Sequence, residues 1–186
     1  MNAKERIKAA MDLRPVDKTP LMCQFSIGHM LLQLKVSPVE FWFDPIVFAD
    51  GLIEMRELYD FDGILVSLHG HNPMWKNEVS KIYSADEGEV VEWKNGDKTI
   101  CPNNDLPFYK YIVPKQKLDI DNLIVDNLPV ELNYIPVSQN LYFEIMKENK
   151  FLSIERVVQK CGNSFSIHGE ITSPFDYFLD LVGTQD

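Results

Sequence analysis

Cysteine is scarce in this chain, and what there is does not form a pattern. Cys23, Cys101 and Cys161 are odd in number and far apart, with no Cys-x-x-Cys and no His-x-Cys. No structural zinc site can be read from them, and a disulfide framework is not expected. Basic residues are few: 18 Lys and Arg stand against 28 acids, for a formal charge of −10 and a pI of about 4.8. They form no stripe or cluster along the sequence, so nucleic acid and anionic membrane are not expected as partners. Long apolar runs are also missing, and none approaches the roughly 18 residues of a membrane-spanning helix. The first eight residues, Met1 to Lys8, are charged throughout and lack a signal-peptide core. There is no short-period repeat and no low-complexity tract. The expectation from these absences is a cytoplasmic globular protein.

What is present suits one domain with a real core: 186 residues, 45% hydrophobic and 25% charged. Asn2 with Glu5 forms a capping-box pattern that opens a helix over 3–12. Pro15 and Pro20 end it and lead to a first strand over 20–26, with Cys23 inside it as a core residue rather than a nucleophile. Ser37-Pro38-Val39-Glu40 is a helix start, and Asp44-Pro45 opens a longer helix over 45–59. Residues 63–68 are apolar at nearly every position, which suits a parallel strand buried on both faces. Strand, helix and strand of this character make a βαβ unit.

Residues 75–115 break the rhythm and read as an insertion after the second strand. They hold short strands at 81–83, 89–93 and 98–100, with Asn95-Gly96 predicting a type I′ hairpin. Trp75, Trp93, Phe108, Tyr109 and Tyr111 serve either to wall an apolar pocket or to pack the insertion onto the body. Helices are expected at 118–128, 141–149 and 154–161, the last closed by Cys161-Gly162. A third strand follows at 164–168, and Ser173-Pro174 opens a final helix. The fold class is therefore α/β: a partial (β/α)8 barrel, with its first three strands, their helices and a β-hairpin insertion after strand two. Three parallel strands cannot close a barrel, which needs ~250 residues. The expectation is the front part of a longer protein, a single domain over 1–186, with a small complete α/β domain as the alternative.

All four histidines fall at or just past the expected strands: His29, His69, His71 and His168. In parallel α/β architectures, ligands and chemistry sit at the carboxyl ends of strands. The titratable groups are thus pooled where an active site belongs. Glu170, beside His168, is either its orienting carboxylate or an acid favoured by the N-terminus of the last helix.

Three segments carry a family resemblance. Glu5 to Met11 followed by Pro15-Val16-Asp17-Lys18-Thr19-Pro20-Leu21, then Phe61-Asp62-Gly63-Ile64-Leu65-Val66, then Ile167-His168-Gly169-Glu170-Ile171-Thr172-Ser173-Pro174-Phe175, resemble in order and spacing the uroporphyrinogen decarboxylase superfamily. The likeness covers most of the chain except the insertion. It implies a (β/α)8 barrel that serves either uroporphyrinogen decarboxylation or cobalamin-dependent methyl transfer. The family's decarboxylases present two arginines after strand one. Here the matching segment is Cys23-Gln24-Phe25-Ser26-Ile27-Gly28-His29, with Phe25 and His29 in their place, and the decarboxylase aspartate near the end of strand two is matched by about His69. An octacarboxylate site does not lose bidentate arginines cheaply. The resemblance therefore leans to the methyltransferase branch.

On that reading the chain is the N-terminal part of a methyltransferase that moves a methyl group between a small methylated compound or thiol and a corrinoid protein. His69, His168 and Glu170 are its catalytic candidates, and Gln24, His29 and His71 contact substrate. The branch implies cobalamin, carried by the corrinoid protein, and a zinc held by His-x-Cys and a later Cys. This chain has none of those zinc ligands, so no metal residue is assigned in it. The alternatives are a decarboxylase proper, a metal-dependent hydrolase using His69-x-His71, and a non-enzymatic half barrel that pairs with a copy of itself or with a complementary half.

Overall fold

The computed structural model describes residues 1–66, 72–114, 116–128, 134–136, 142–144, 151–170 and 172–183. Helix α1 (Ala3–Met11) opens with the expected capping box: the Asn2 side chain accepts from the Glu5 N–H at 2.8 Å, and the Glu5 carboxylate accepts from the Asn2 N–H at 3.0 Å. Helices α2 (Ile27–Leu34), α3 (Pro38–Phe43) and α4 (Pro45–Tyr59) follow, and then strand β1 (Gly63–Val66). Strands β2 (Val79–Ala85), β3 (Gly88–Trp93), β4 (Lys98–Cys101) and β5 (Phe108–Lys110) form one antiparallel sheet in that order. Strands β6 (Tyr134–Pro136) and β7 (Tyr142–Glu144) form a separate antiparallel pair. Helix α5 (Leu152–Cys161), strand β8 (Ser166–Gly169) and helix α6 (Pro174–Val182) complete the described elements.

The body is built on β1 and β8, which pair in parallel with Ile64 opposite Ile167 and Leu65 opposite His168. Side chains alternate across a strand. Ile64, Val66 and Ile167 therefore share one face, where they join the core with Phe48, Leu52 and Met55 of α4 and Val157 of α5. Trp42, Phe41 and Phe48 are fully buried, and each such side chain contributes about 1.5–3 kcal/mol of hydrophobic stabilisation. Asp50 on α4 accepts from Arg156 at 3.1 Å and from Lys160 at 2.8 Å on α5, tying the two helices at their solvent edge. The opposite sheet face carries Gly63, Leu65, Ser166 and His168. A Cβ on Gly63 would stand 2.8 Å from Ile7 and 3.0 Å from the Met22 sulfur, so α1 closes this face at the amino end of β1. Arg6 anchors that closure, bonding Asp17 at 2.6 Å and the buried Asp62.

The antiparallel sheet lays Val91 and Cys101 against Val39 of α3 and Trp75. Phe43 stacks on Trp75 at 4.9 Å and meets Trp93 edge-on at 5.3 Å. The two tryptophans thus pack the 75–115 segment onto the body. Glu89 of β3 accepts from the Ser37 hydroxyl at 2.6 Å and from the Val39 N–H at 3.0 Å, so the sheet also caps α3.

Several expectations are corrected. The described residues hold one parallel pair, β1 and β8, rather than the three parallel strands expected of a partial barrel. Residues 20–26 are not a strand. The Leu21 N–H donates to the Asp62 carboxylate at 2.9 Å and its carbonyl accepts from the Asp62 N–H at 2.8 Å, one side-chain-assisted tie instead of a ladder. Ser26 then caps α2, whose apolar Ile27, Met30, Leu31 and Leu34 follow helical spacing. Cys23 is consequently exposed rather than core, while Cys161 is buried as expected. Residues 118–128 form two 3-10 turns, Ile120–Asn122 and Val125–Asn127, not one helix. Tyr142–Glu144 is strand where a helix over 141–149 is expected, in keeping with the β preference of its aromatics; residues 145–150 lie outside the described residues. The hairpin at Asn95-Gly96 is not type I′, which needs positive φ at both positions; only Gly96 has it there, at φ 90°. The Trp93 carbonyl accepts from Gly96 N–H at 2.8 Å and its N–H donates to Asp97 at 2.9 Å, a three-residue loop with a glycine bulge.

Among the described residues, no helix is long and apolar enough to cross a membrane.

Candidate active site

Strand alternation places Ser166 and His168 side by side on the face of β8 turned away from the α4–α5 core. Their side chains meet: His168 Nε2 lies 2.8 Å from Ser166 Oγ, and both are half-buried. A serine hydroxyl both donates and accepts, so it holds the imidazole in position in either tautomer. An imidazole held in this way can serve as a general base.

Glu170 follows β8 directly, and its N–H extends the ladder to the Val66 carbonyl at 3.1 Å. Among the described residues no hydrogen bond joins its carboxylate to His168, the partner that one of its two readings gives it. The carboxylate accepts from Gln24 Nε2 through both oxygens, at 3.2 and 3.0 Å. Gln24 is 146 residues away in sequence, so this pair clasps the irregular 21–26 segment to the carboxyl end of β8. At the start of the last helix, Asp176 forms a capping box with Ser173. The carboxyl end of β8 thus presents an amide–carboxylate pair, and the hydroxyl–imidazole pair runs back along the strand from His168 to Ser166, its first residue.

His29 is held elsewhere. It is the third residue of α2, its N–H donating to Ser26 Oγ at 3.4 Å, and its Nε2 lies 2.7 Å from the Tyr59 hydroxyl. Its ring stacks on Phe25 at 6.1 Å, and Phe25 in turn meets Tyr59 and Phe61, each at 5.5 Å. Among the described residues no hydrogen bond or ring contact joins His29 to Gln24, His168 or Glu170. The structure therefore brings Gln24 to Glu170 and leaves His29 in an aromatic cluster. His69 and His71 lie outside the described residues, and with them the His69-x-His71 pair of the hydrolase reading.

Among the described residues no group of three His, Cys, Asp or Glu side chains could hold a metal ion. Cys101 is buried and Cys161 nearly so, and burial pushes both thiols up, away from the thiolate form that zinc binds. These residues do not fit a zinc site. The segments that carry the site, 20–34 and 163–173, contain no Lys or Arg. Arg6, with Asp17 and Asp62, sits at the amino end of β1, where it holds the Asp17 carboxyl well below the usual carboxylate range.

Ser166 and Tyr59 are site-bearing residues that the sequence reading passed over. Ser166-x-His168 on a strand is a signal for the first, since positions i and i+2 share a face. The second has no local signal, because Tyr59 lies 30 residues from His29 and meets it only through the packing of α2 on α4.

Comparison with protein-family models, with curated proteins and with solved structures found no match.

Proposed function

We propose that this chain is the N-terminal part of a uroporphyrinogen decarboxylase-like methyltransferase, moving a methyl group in the cytoplasm between a small methylated compound or thiol and a corrinoid protein. On this reading β1 and β8 are neighbouring strands of a (β/α)8 barrel, interrupted by the 75–115 segment, and their carboxyl ends face the substrate. The observation that carries it is what β8 presents toward that end: Ser166–His168 along one face and Gln24–Glu170 just past its last residue, with no Lys or Arg in the segments that bear them. A polycarboxylate substrate calls for guanidinium or ammonium partners. A neutral thiol or methylated small molecule calls instead for a base and hydrogen-bonding groups, which are what this end offers.

The chemistry required of this chain is proton transfer and positioning. With a thiol acceptor, His168 would take the thiol proton as sulfur attacks the methyl carbon, the bond from that carbon to its donor breaking with its electron pair left on the donor, while Ser166 holds the ring. Glu170, fixed by Gln24, positions polar groups of the substrate at the rim. The methyl group is delivered by the corrinoid carried on the partner protein. No step is assigned to zinc.

The test is methyl transfer by the product of the whole reading frame that encodes this chain, with methylcobalamin and a small thiol, read as loss of methylcobalamin absorbance. Transfer that falls by about 10²–10⁴-fold in His168→Ala is expected for a general base. Absence of transfer to thiols and to amines alike overturns the reading.

A further inference from the structure

The chain's lysines are scattered in sequence, but the antiparallel sheet gathers three of them. Cross-strand partners share a face. The register aligns Lys81, Glu92, Lys98 and Lys110 in one row and Tyr83, Val90, Ile100 and Phe108 in the next. This is the face opposite Val91 and Cys101, which pack on α3. Val90 and Ile100 in the middle are buried, while Tyr83 and Phe108 at the two ends are half-exposed. Lys81 lies over the Tyr83 ring at 5.0 Å and Lys110 over the Phe108 ring at 5.2 Å. In a protein of net charge −10 this face carries three lysines. Glu92 lies 3.5 Å from Lys98, and Glu87 lies 3.8 Å from Lys110. Two half-exposed aromatic rings that bear cations, flanking a buried centre, fit a partner segment that is both acidic and apolar.

The chain itself presents one. Residues 118–128 contain no Lys or Arg, and Asp119, Asp121 and Asp126 are exposed among Leu118, Ile120, Ile124 and Val125, which are 44% to 72% exposed. The segment is held out on α6 at its start, where the Leu118 N–H donates to the Leu181 carbonyl at 2.8 Å and Lys117 Nζ to the Asp180 carbonyl at 2.5 Å. We propose that two copies of this chain dimerise reciprocally, the 118–126 segment of each seated on the Lys81–Lys98–Lys110 sheet face of the other. Each protomer then contributes one acidic-apolar segment and one basic-aromatic face, as a two-fold interface requires.

Sedimentation velocity over a range of chain concentrations tests this, at low and high salt. The intact chain is expected to dimerise, with an apparent Kd that rises at least tenfold as salt is raised and the charges are screened. Lys81→Glu with Lys110→Glu should give a monomer, and so should Asp121→Lys with Asp126→Lys. An equimolar mixture of the two double variants should dimerise again, because both contacts of the mixed pair are then of opposite sign. A chain that is monomeric throughout, a dimer that ignores both substitutions, or a mixture that stays monomeric overturns the proposal. Circular dichroism verifies the fold of each variant. If either misfolds, hydrogen exchange of the intact chain decides: protection gained with concentration at both 81–110 and 118–126 is required, and protection elsewhere alone contradicts it.

Discussion

His168 and Glu170 are two residues apart, yet each answers to a different neighbour, and substitutions should separate their roles. Removing the imidazole removes the base itself. Ser166→Ala leaves the base but frees its ring, since Oγ is the group 2.8 Å from Nε2. On the proposed chemistry Ser166→Ala lowers kcat with little change in KM, by less than His168→Ala does. Gln24→Ala releases the Glu170 carboxylate from its two contacts and should raise KM more than it lowers kcat. Steady-state kinetics of the three variants distinguish these patterns. Asp50 tests a structural group at the same scale. Arg156 first, and Lys160 with it, hold its carboxyl below the ordinary range. A depressed folded pKa gives stability that is present above the unfolded value, about 3.9 for aspartate, and lost as pH falls through the folded one. Urea unfolding should therefore show Asp50→Asn less stable than the parent at neutral pH, with the difference closing in acid.

Among the elements, α2 shows how much tertiary structure rests on one small residue. A Cβ on Gly28 would stand 2.0 Å from the Asn104 carbonyl oxygen, so the start of α2 and the 102–106 loop touch backbone to side-chain position. Gly28→Ala must push them apart, and we expect a loss of about 1–3 kcal/mol in denaturant unfolding, the usual cost of overpacking. The helices with strong start signals were legible in the sequence: Asn2 with Glu5, Ser37-Pro38, Asp44-Pro45 and Ser173-Pro174 each open a helix in the structure. So were β1 and β8, from their apolar runs. Residues 20–34 were not, because Leu21 to Phe25 is apolar enough for a strand while its backbone is satisfied by the Asp62 carboxylate, a partner 41 residues on. The site divided in the same way. His168 could be placed from its strand, but the Gln24–Glu170 clasp depends on a loop path that no local pattern encodes.

At the level of the whole molecule two layers of interaction join a parallel pair to an antiparallel sheet. Phe43, Trp75 and Trp93 supply the apolar contact, and Glu89 supplies the polar one by capping α3 at Ser37 and Val39. The Gln24–Glu170 pair lies past the carboxyl end of β8, whereas Ser166 begins that strand and its N–H donates to the Asp62 carbonyl at 3.3 Å, beside the Arg6–Asp17–Asp62 anchor. The net charge of −10 describes the average surface, whereas the sheet register collects Lys81, Lys98 and Lys110 from positions 12 to 17 residues apart.

The most direct test of the central claim is a single comparison: methyl transfer from methylcobalamin to a small thiol by the product of the full reading frame, with and without His168→Ala. The account predicts measurable transfer in the first and a loss of about 10²-fold or more in the second. Transfer that survives the substitution unchanged, or no transfer by the unaltered protein, would contradict it.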